Sequence, residues 1–132
     1  MKTQKYFSLL SFALVLCFLL SVVSCDDDTS DYGIADQLFR PINFQAEVDD
    51  EIGNAVNFSW VPIKGTSYYS LEISRDSLQF KQDLQSFSIY DDDKFEIENL
   101  WSDSRYSARI KAISIDSKIK DSEYKQITFV TD

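Results

Sequence analysis

The sequence contains no histidine, and it holds only two cysteines, three glycines and two prolines among 132 residues. Without histidine, a Ser-His-Asp or Cys-His nucleophile and a histidine zinc site are excluded. Gly33, Gly53 and Gly65 are too far apart to form a glycine-rich phosphate loop. A glycosidase-like carboxylate pair stays possible, but the acidic clusters fall in predicted turns, where charge usually means solvation. We therefore predict no catalytic residue, no cofactor and no metal ligand.

Positive charge is also scarce. The sequence has 13 lysines and arginines against 22 aspartates and glutamates, which gives a net charge of −9. Lys2 and Lys5 stand at the start of the chain, ahead of every acidic residue. If residues 1–24 are removed, both lysines are lost and the net charge of −9 becomes −11. Phosphate binding needs a basic face, so we exclude nucleic acid as a partner. The same charge disfavours electrostatic attachment to anionic lipid.

The first 24 residues have the layout of a secretory signal peptide, with a basic start, an apolar run from Phe12 to Leu20 and small residues up to Ser24. A transmembrane helix needs about 20 predominantly apolar residues, and serines dilute this run. A retained signal anchor is the alternative. Val22-Val23-Ser24-Cys25 resembles the lipobox of bacterial lipoproteins. That resemblance implies cleavage before Cys25 and the attachment of several acyl chains to this cysteine. A single acyl chain would bind the membrane only weakly, whereas several anchor the protein stably.

Three aspartates, Asp26, Asp27 and Asp28, follow the cysteine directly. They resemble the signal by which a group of Gram-negative bacteria exports lipoproteins to the outer face of the outer membrane. The alternative is a solvated start to a linker. We predict a lipid-anchored protein of the outer membrane, exposed at the cell surface. Because Cys17 would leave with the signal peptide and Cys25 would be lipidated, the mature domain has no disulfide.

Residues 25–40 are predicted to form an acidic tether, and residues 41–132 one domain. From Ile42 onward the apolar residues recur with a period of two, beginning with Ile42, Phe44, Ala46 and Val48, which is typical of half-buried strands. Six more strand segments follow, namely Val56 to Trp60, Tyr69 to Ile73, a less regular stretch from Phe80 to Ile89, Phe95 to Ile97, Tyr106 to Ala112 and Ile127 to Phe129. The sequence thus predicts an all-β fold, a seven-stranded antiparallel Greek-key β-sandwich.

The segment from Pro41 to Thr131 resembles a fibronectin type III domain. Trp60, followed by Val61-Pro62, resembles the core tryptophan of that family's second strand. Leu100 and Tyr106 resemble the family's leucine and tyrosine ahead of its sixth strand, which implies that Tyr106 forms a tyrosine corner. The loop Trp101-Ser102-Asp103-Ser104 departs from the proline and glycine turn that is usual there.

A narrower resemblance rests on Arg40-Pro41-Ile42, Trp60 to Gly65 and Asp121 to Tyr124. These segments are similar to the N-terminal parts of lipid-anchored bacterial surface proteins that carry a pectate-lyase-like β-helix. The resemblance implies a non-catalytic module that anchors or spaces glycan-handling machinery. Its partners would be the membrane, through Cys25, and a polysaccharide or a neighbouring surface protein or domain. The alternative is a protein-binding adhesin or assembly module.

Two aromatic residues are candidates for ligand binding. Trp101 stands in a polar loop, and Tyr68 is out of phase with the inward-facing residues of its strand. Exposed aromatic faces at these positions would allow a sugar ring to stack. The alternatives are that Trp101 folds over the end of the sandwich and that Tyr68 packs against Arg109 or Lys111.

Two further features have alternative interpretations. The acidic turns Asp49-Asp50-Glu51 and Asp91-Asp92-Asp93 offer oxygen ligands to calcium, but they should lie at opposite ends of the sandwich, so we favour solvated turns. Ile113, Ile115 and Ile119 form either an exposed patch for a neighbouring domain or, through a strand bulge, part of the core.

Overall fold

The computed structural model describes residues 36–132, and all regular structure in this range consists of β-strands. The alternating segments of the sequence form the strands β1 (Ile42–Val48), β2 (Val56–Val61), β3 (Thr66–Ser74), β4 (Gln85–Ile89), β5 (Lys94–Ile97), β6 (Arg105–Ser114) and β7 (Lys125–Val130). Turns and loops separate these strands. The acidic or glycine-containing stretches between them lack the alternation of apolar and polar residues that is typical of a half-buried strand.

The seven strands pair into two antiparallel sheets, one in the order β1-β2-β5 and the other in the order β4-β3-β6-β7. The chain changes sheet between β2 and β3, between β4 and β5, and again between β5 and β6, which gives the Greek-key connections of a sandwich. The predicted fold class, a seven-stranded antiparallel β-sandwich, is therefore confirmed.

Aromatic rings fill the space between the sheets. The Phe58 ring on β2 packs edge-on against Phe129 on β7 at 5.6 Å, and the Tyr106 ring on β6 stacks on Phe129 at 5.5 Å. The Trp60 ring meets Tyr69 of the opposite sheet at 5.2 Å. Each such side chain removes a large apolar area from water, so truncating a buried phenylalanine or tryptophan to alanine costs about 3 to 5 kcal/mol.

The first strand departs from the alternation that its sequence suggests. Ile42 is 56% exposed, whereas Phe44 is buried. The register shifts between Ile42 and Gln45, and Asn43 lies between them with a φ of 52°, in the left-handed region. This bulge turns Ile42 outward, so the strand contributes to the core only from Phe44 onward.

The loops gather at two ends of the sandwich. We call the end that holds residues 36–41 the N-terminal end, and the loops 62–65, 90–93 and 115–124 lie there. The Ile115 N–H donates to the Gly65 carbonyl at 3.0 Å, and the Trp60 N–H donates to the Asp93 carbonyl at 3.1 Å. We call the other the C-terminal end, where Asp132 donates its N–H to the Gly53 carbonyl at 3.0 Å.

Residues 36–40, which the sequence assigns to the tether, run beside the β6–β7 loop. The Leu38 N–H donates to the Lys120 carbonyl at 2.9 Å, and the Lys120 N–H donates to the Asp36 carbonyl at 2.8 Å. The Gln37 side-chain amide donates to the Asp121 carbonyl at 3.0 Å. These hydrogen bonds attach the segment to the N-terminal end of the sandwich.

Candidate functional site

The three residues predicted to be structural, Trp60, Leu100 and Tyr106, all lie in the core, with exposed fractions of 4%, 5% and 2%. The Tyr106 hydroxyl accepts the backbone N–H of Trp101 at 3.0 Å. This hydrogen bond, from a residue just upstream to a buried tyrosine at the start of β6, is the one that defines a tyrosine corner. The indole N–H of Trp60 is buried without a hydrogen-bond partner among residues 36–132. These side chains are buried in the core and serve the fold.

The side chain of Trp101 projects into solvent at the C-terminal end and is 65% exposed. Its backbone is fixed on both sides, because its N–H donates to Tyr106 and its carbonyl accepts the Thr131 hydroxyl at 2.5 Å. The Arg75 guanidinium lies 5.0 Å from the indole centroid and also pairs with Asp83 at 2.8 Å. The ring is thus held outward, with the guanidinium over it.

Tyr68 lies on the outer face of the four-stranded sheet and packs against Tyr90, which follows the last residue of β4. Their ring centroids are 5.1 Å apart, with an interplanar angle of 32°. Arg109 and Lys111, the alternative neighbours of Tyr68, instead lie over the Tyr124 ring, at 4.4 Å and 5.2 Å. Tyr90 is 63% exposed. Sequence reasoning missed Tyr90, although its position continues the alternation of β4 on the face that carries the outward-facing serines.

An open cleft of about 380 Å³ adjoins Tyr68 at the N-terminal end. Its lining residues come from the β2–β3 turn, the start of β3 and the β4–β5 turn, and they are Pro62, Ile63, Thr66, Ser67, Tyr68, Tyr69, Asp91, Asp92 and Asp93. We call this feature the tyrosine–aspartate cleft. The turn that carries the aspartates is well defined, since one Asp92 oxygen accepts the N–H of Asp93 at 2.8 Å and that of Lys94 at 3.1 Å. The Thr66 hydroxyl is buried with no hydrogen-bond partner among the described residues.

Trp101 and Tyr68, the two predicted ligand-binding residues, do not belong to one site. Tyr68 stands near the beginning of β3, whereas Trp101 contacts Arg75, which directly follows its end. Seven residues of extended strand span about 23 Å at about 3.3 Å per residue. A single sugar ring at the tyrosine–aspartate cleft is therefore out of reach of Trp101.

The two acidic turns also lie apart, at opposite ends of β2. Val48, just before the first turn, pairs with Val56 at the beginning of β2. Trp60, near the end of β2, donates its N–H to Asp93 of the second turn. Within residues 36–132, no group of three or more histidine, cysteine, aspartate or glutamate side chains is placed to hold a metal ion.

A charged cluster covers the middle of the outer face of the four-stranded sheet. The Arg109 guanidinium lies between the rings of Phe80 and Tyr124, at 4.3 Å and 4.4 Å, and pairs with Glu72. The Tyr124 hydroxyl donates to the same Glu72 carboxylate at 3.4 Å. Because these groups already satisfy one another, a ligand would have to displace an existing contact to bind them. We assign the cluster to the fold.

Asp76 organises the loop between β3 and β4, a role that sequence reasoning missed. Its carboxylate accepts backbone N–H groups from Gln79, Phe80, Lys81 and Gln82 and the hydroxyl of Ser74, at distances from 2.9 to 3.1 Å. These hydrogen bonds, chiefly those from the backbone N–H groups of Gln82 and Lys81, hold the pKa of the Asp76 carboxyl well below its ordinary value of 3.8. The sequence signal that could have predicted this role is the position of the aspartate, just after a strand and before a polar loop.

The three isoleucines near the β6–β7 loop separate in the structure. Ile115 is 74% exposed, whereas Ile113 and Ile119 are half-buried. Ile113 is the cross-strand partner of Tyr68, next to a register irregularity at the start of β3. Ile113 therefore faces the outer surface beside the tyrosine pair and does not enter the core.

An apolar groove of about 640 Å³ lies where residues 36–40 join the sandwich, lined by Gln37, Leu38, Phe39, Arg40, Ile42, Ile63 and Glu123. Phe39 is 74% exposed. Ile63 lines both this groove and the tyrosine–aspartate cleft, so the two features are neighbours.

The signal peptide, Cys25 and the aspartates Asp26, Asp27 and Asp28 lie outside the residues that the structure describes. Among residues 36–132, there is no helix with the length and apolar character that a membrane span requires.

Comparisons with known proteins agree on the fold. No family model matches the sequence, and no curated protein matches it. Solved structures do match. The fn3 domain of the human collagen alpha-1(XX) chain is 17% identical, with 76% of this chain and 91% of that chain covered and a TM-score of 0.59. The crystal structure of FN3tt is 18% identical, with coverages of 73% and 97% and a TM-score of 0.59. The chicken CNTN1 FN1-FN3 structure is 17% identical, with coverages of 70% and 30% and a TM-score of 0.56.

These likenesses define the fold. The chain contains a fibronectin type III-like domain, as the resemblance of Trp60, Leu100 and Tyr106 implied. At identities below one fifth, the likeness establishes the fold and no ligand. A shared fold does not fix function, so function must be argued from the surface of this particular domain.

Proposed function

We propose that this protein is a non-catalytic, lipid-anchored module that holds or spaces glycan-handling machinery at the cell surface and contacts carbohydrate through the tyrosine–aspartate cleft. The proposal combines the lipid anchor predicted at Cys25 with a feature of the folded domain. It replaces the sequence-based pair of Trp101 and Tyr68 with Tyr68, Tyr90 and the aspartate turn.

The observation that carries the proposal is a tyrosine pair, the half-buried Tyr68 and the exposed Tyr90, beside a carboxylate-lined cleft. Sugar rings offer apolar C–H faces that pack on aromatic rings, and their hydroxyls donate hydrogen bonds to carboxylates. Tyr68 and Tyr90 supply the rings, and Asp91 to Asp93 supply acceptors next to them. An aromatic surface with a few convergent polar groups is the common form of a small-ligand site.

A binding role fits this cleft better than catalysis does. Glycosidases place two carboxyl groups on either side of the scissile bond. Here the three aspartates are consecutive residues of one turn, and Asp92 already accepts two backbone N–H groups. The chain has no histidine to act as a base in their place.

The position of the cleft is compatible with attachment through Cys25. Residues 36–40 are hydrogen-bonded to the N-terminal end of the sandwich, which is also the end that holds the cleft. The eleven residue steps from Cys25 to Asp36 span at most about 40 Å. A lipidated Cys25 would therefore keep the cleft within about 40 Å of the membrane surface.

Titration of the full chain, purified in detergent, with neutral oligosaccharides by isothermal calorimetry tests carbohydrate binding. We expect saturable binding that weakens at least about tenfold in Tyr68→Ala and Tyr90→Ala, a loss of about 1.4 kcal/mol. Trp101→Ala is the control, because it removes an aromatic ring that is as exposed as Tyr90 and lies at the opposite end. Absence of saturable binding to the wild-type protein, or an equal loss in Trp101→Ala, would contradict the proposal.

The anchor is tested separately. Cys25→Ser should move the protein out of the membrane fraction, and the wild-type protein extracted from membranes should carry the mass of its acyl chains. Replacing Asp26, Asp27 and Asp28 with alanine should protect the protein from protease added to intact cells. Unchanged protease access would leave these aspartates a role in the linker only.

The second candidate function is a protein-binding adhesin or assembly module. The apolar groove favours it, because Phe39 and Ile42 are held exposed beside Leu38 and Ile63. A surface of this kind is typical of contacts with another protein. Cross-linking in cells, compared between the wild type and Phe39→Ser, would test it, and an unchanged set of cross-linked products would argue against the groove.

A further inference from the structure

The tyrosine–aspartate cleft carries charge of one sign. Asp91, Asp92 and Asp93 line it, and within the described residues no lysine or arginine belongs to its lining. Lys64 lies in the adjacent β2–β3 turn, where it is exposed and stands outside that lining. A ligand that stacks on Tyr68 therefore sits beside negative charge with no lining cation to offset it.

We propose that this cleft selects neutral or amino-bearing sugars and rejects uronic acids. The inference rests on the proposed function and narrows its ligand class. A hydroxyl or an ammonium group donates to the carboxylates of the aspartate turn, and the ammonium gains an ion pair as well. A uronate brings its own carboxylate to the same place, and like charges at close range repel.

The backbone of the turn makes a clean charge test possible. Asp91 has a φ of 54°, in the left-handed region, which asparagine adopts as readily as aspartate. The Asp92→Asn substitution keeps a side-chain oxygen that can accept the N–H groups of Asp93 and Lys94. The combined variant Asp91→Asn, Asp92→Asn and Asp93→Asn therefore removes three charges while the acceptors and the turn remain.

A matched control exists at the opposite end of the sandwich. Asp49 accepts the N–H groups of Glu51 and Ile52 at 2.9 Å and 3.0 Å, much as Asp92 caps its own turn. The combined variant Asp49→Asn, Asp50→Asn and Glu51→Gln changes the net charge by the same amount. It leaves the cleft as it is, so it separates the local field from the charge of the whole molecule.

The experiment compares trimers of glucosamine, N-acetylglucosamine and galacturonic acid by calorimetry on the full chain in detergent, at low salt and about pH 6, where the amine is protonated and carboxylates are ionised. We expect the glucosamine and N-acetylglucosamine trimers to bind, and the galacturonic acid trimer to bind at least about tenfold more weakly. The aspartate-turn variant should lose this discrimination, and the control variant should keep it.

The outcomes distinguish the two proposals. If the galacturonic acid trimer binds the wild-type protein as tightly as the other two, the charge selection is wrong and carbohydrate binding stands. If the control variant loses the discrimination to the same extent as the aspartate-turn variant, the discrimination comes from the net charge of the molecule, and its assignment to the cleft is wrong. If no trimer or neutral oligosaccharide binds, the proposed function fails and the selection fails with it.

Discussion

At the scale of single residues, Asp76 shows how one carboxylate defines a long loop. Its five hydrogen bonds tie residues 79–82 and Ser74 together. Ser107 of β6 completes the arrangement, because its hydroxyl donates to the Asp76 carbonyl at 2.6 Å and accepts the Leu78 N–H at 2.7 Å. The loop thereby brings Phe80 over Arg109.

The lowered pKa of Asp76 gives its contribution to stability a defined pH dependence. Because the folded-state pKa lies below the unfolded value of 3.8, the contribution is complete above that value and is lost as the pH falls toward the lowered one. We expect Asp76→Asn to lower the free energy of unfolding at neutral pH, and the difference from the wild type to shrink between about pH 4 and pH 2. Urea unfolding at each pH measures it. Asp103→Asn, an exposed change, is the control, and a difference that stays constant with pH would contradict the assignment.

Tyr106 permits a second test at this scale, because its ring and its hydroxyl have separate roles. Tyr106→Phe keeps the stacking on Phe129 and removes the acceptor of the Trp101 N–H. We expect a loss of about 1 to 2 kcal/mol in the free energy of unfolding, since a partly buried N–H loses its partner. Urea unfolding checks this, with Tyr90→Phe as an exposed control that should change stability little. Equal effects in the two variants would show that the corner bond contributes nothing.

At the scale of strands and loops, the sequence predicts what is local and misses what is not. The strands β2, β3 and β6 were predictable because each alternates between apolar and polar residues over most of its length. The bulge at Asn43 was not, since the residues 42 to 48 alternate as if the strand were regular. The cleft was also missed, because Tyr68 and Asp91 meet only through the pairing of β3 with β4 and the folding of two turns toward each other. Tyr90 was overlooked for the same reason.

The segment of residues 36–40 is an element that composition alone assigns to a linker. Leu38 packs against the core and lies beside Gly65, whereas Phe39 points outward and is 74% exposed. We expect Leu38→Ala to cost about 1 to 2 kcal/mol of unfolding free energy, less than for a fully buried leucine, and Phe39→Ala to cost under about 0.5 kcal/mol. Urea unfolding of both variants measures the difference. A larger loss for Phe39→Ala would mean that this segment does not pack as described.

At the scale of the whole molecule, excess negative charge opposes folding. The net charge is −9 for the full chain, and the described residues contain only three ion pairs within 4.0 Å, all at least partly exposed. Surface pairs of this kind contribute about 0 to 1 kcal/mol each, so they offset little of the repulsion. Part of the repulsion comes from the acidic turns at both ends of β2.

Salt should therefore stabilise the domain. Raising sodium chloride from about 0.02 M to about 0.3 M shortens the Debye length to below 10 Å and screens repulsion between like charges on the surface. We expect the midpoint of urea unfolding to rise over this range, because the repulsion outweighs the three ion pairs. Calcium chloride at matched ionic strength should give no additional gain, since solvated turns hold no ion. A fall with salt would show that the ion pairs dominate, and a gain specific to calcium would show that one acidic turn is a cation site.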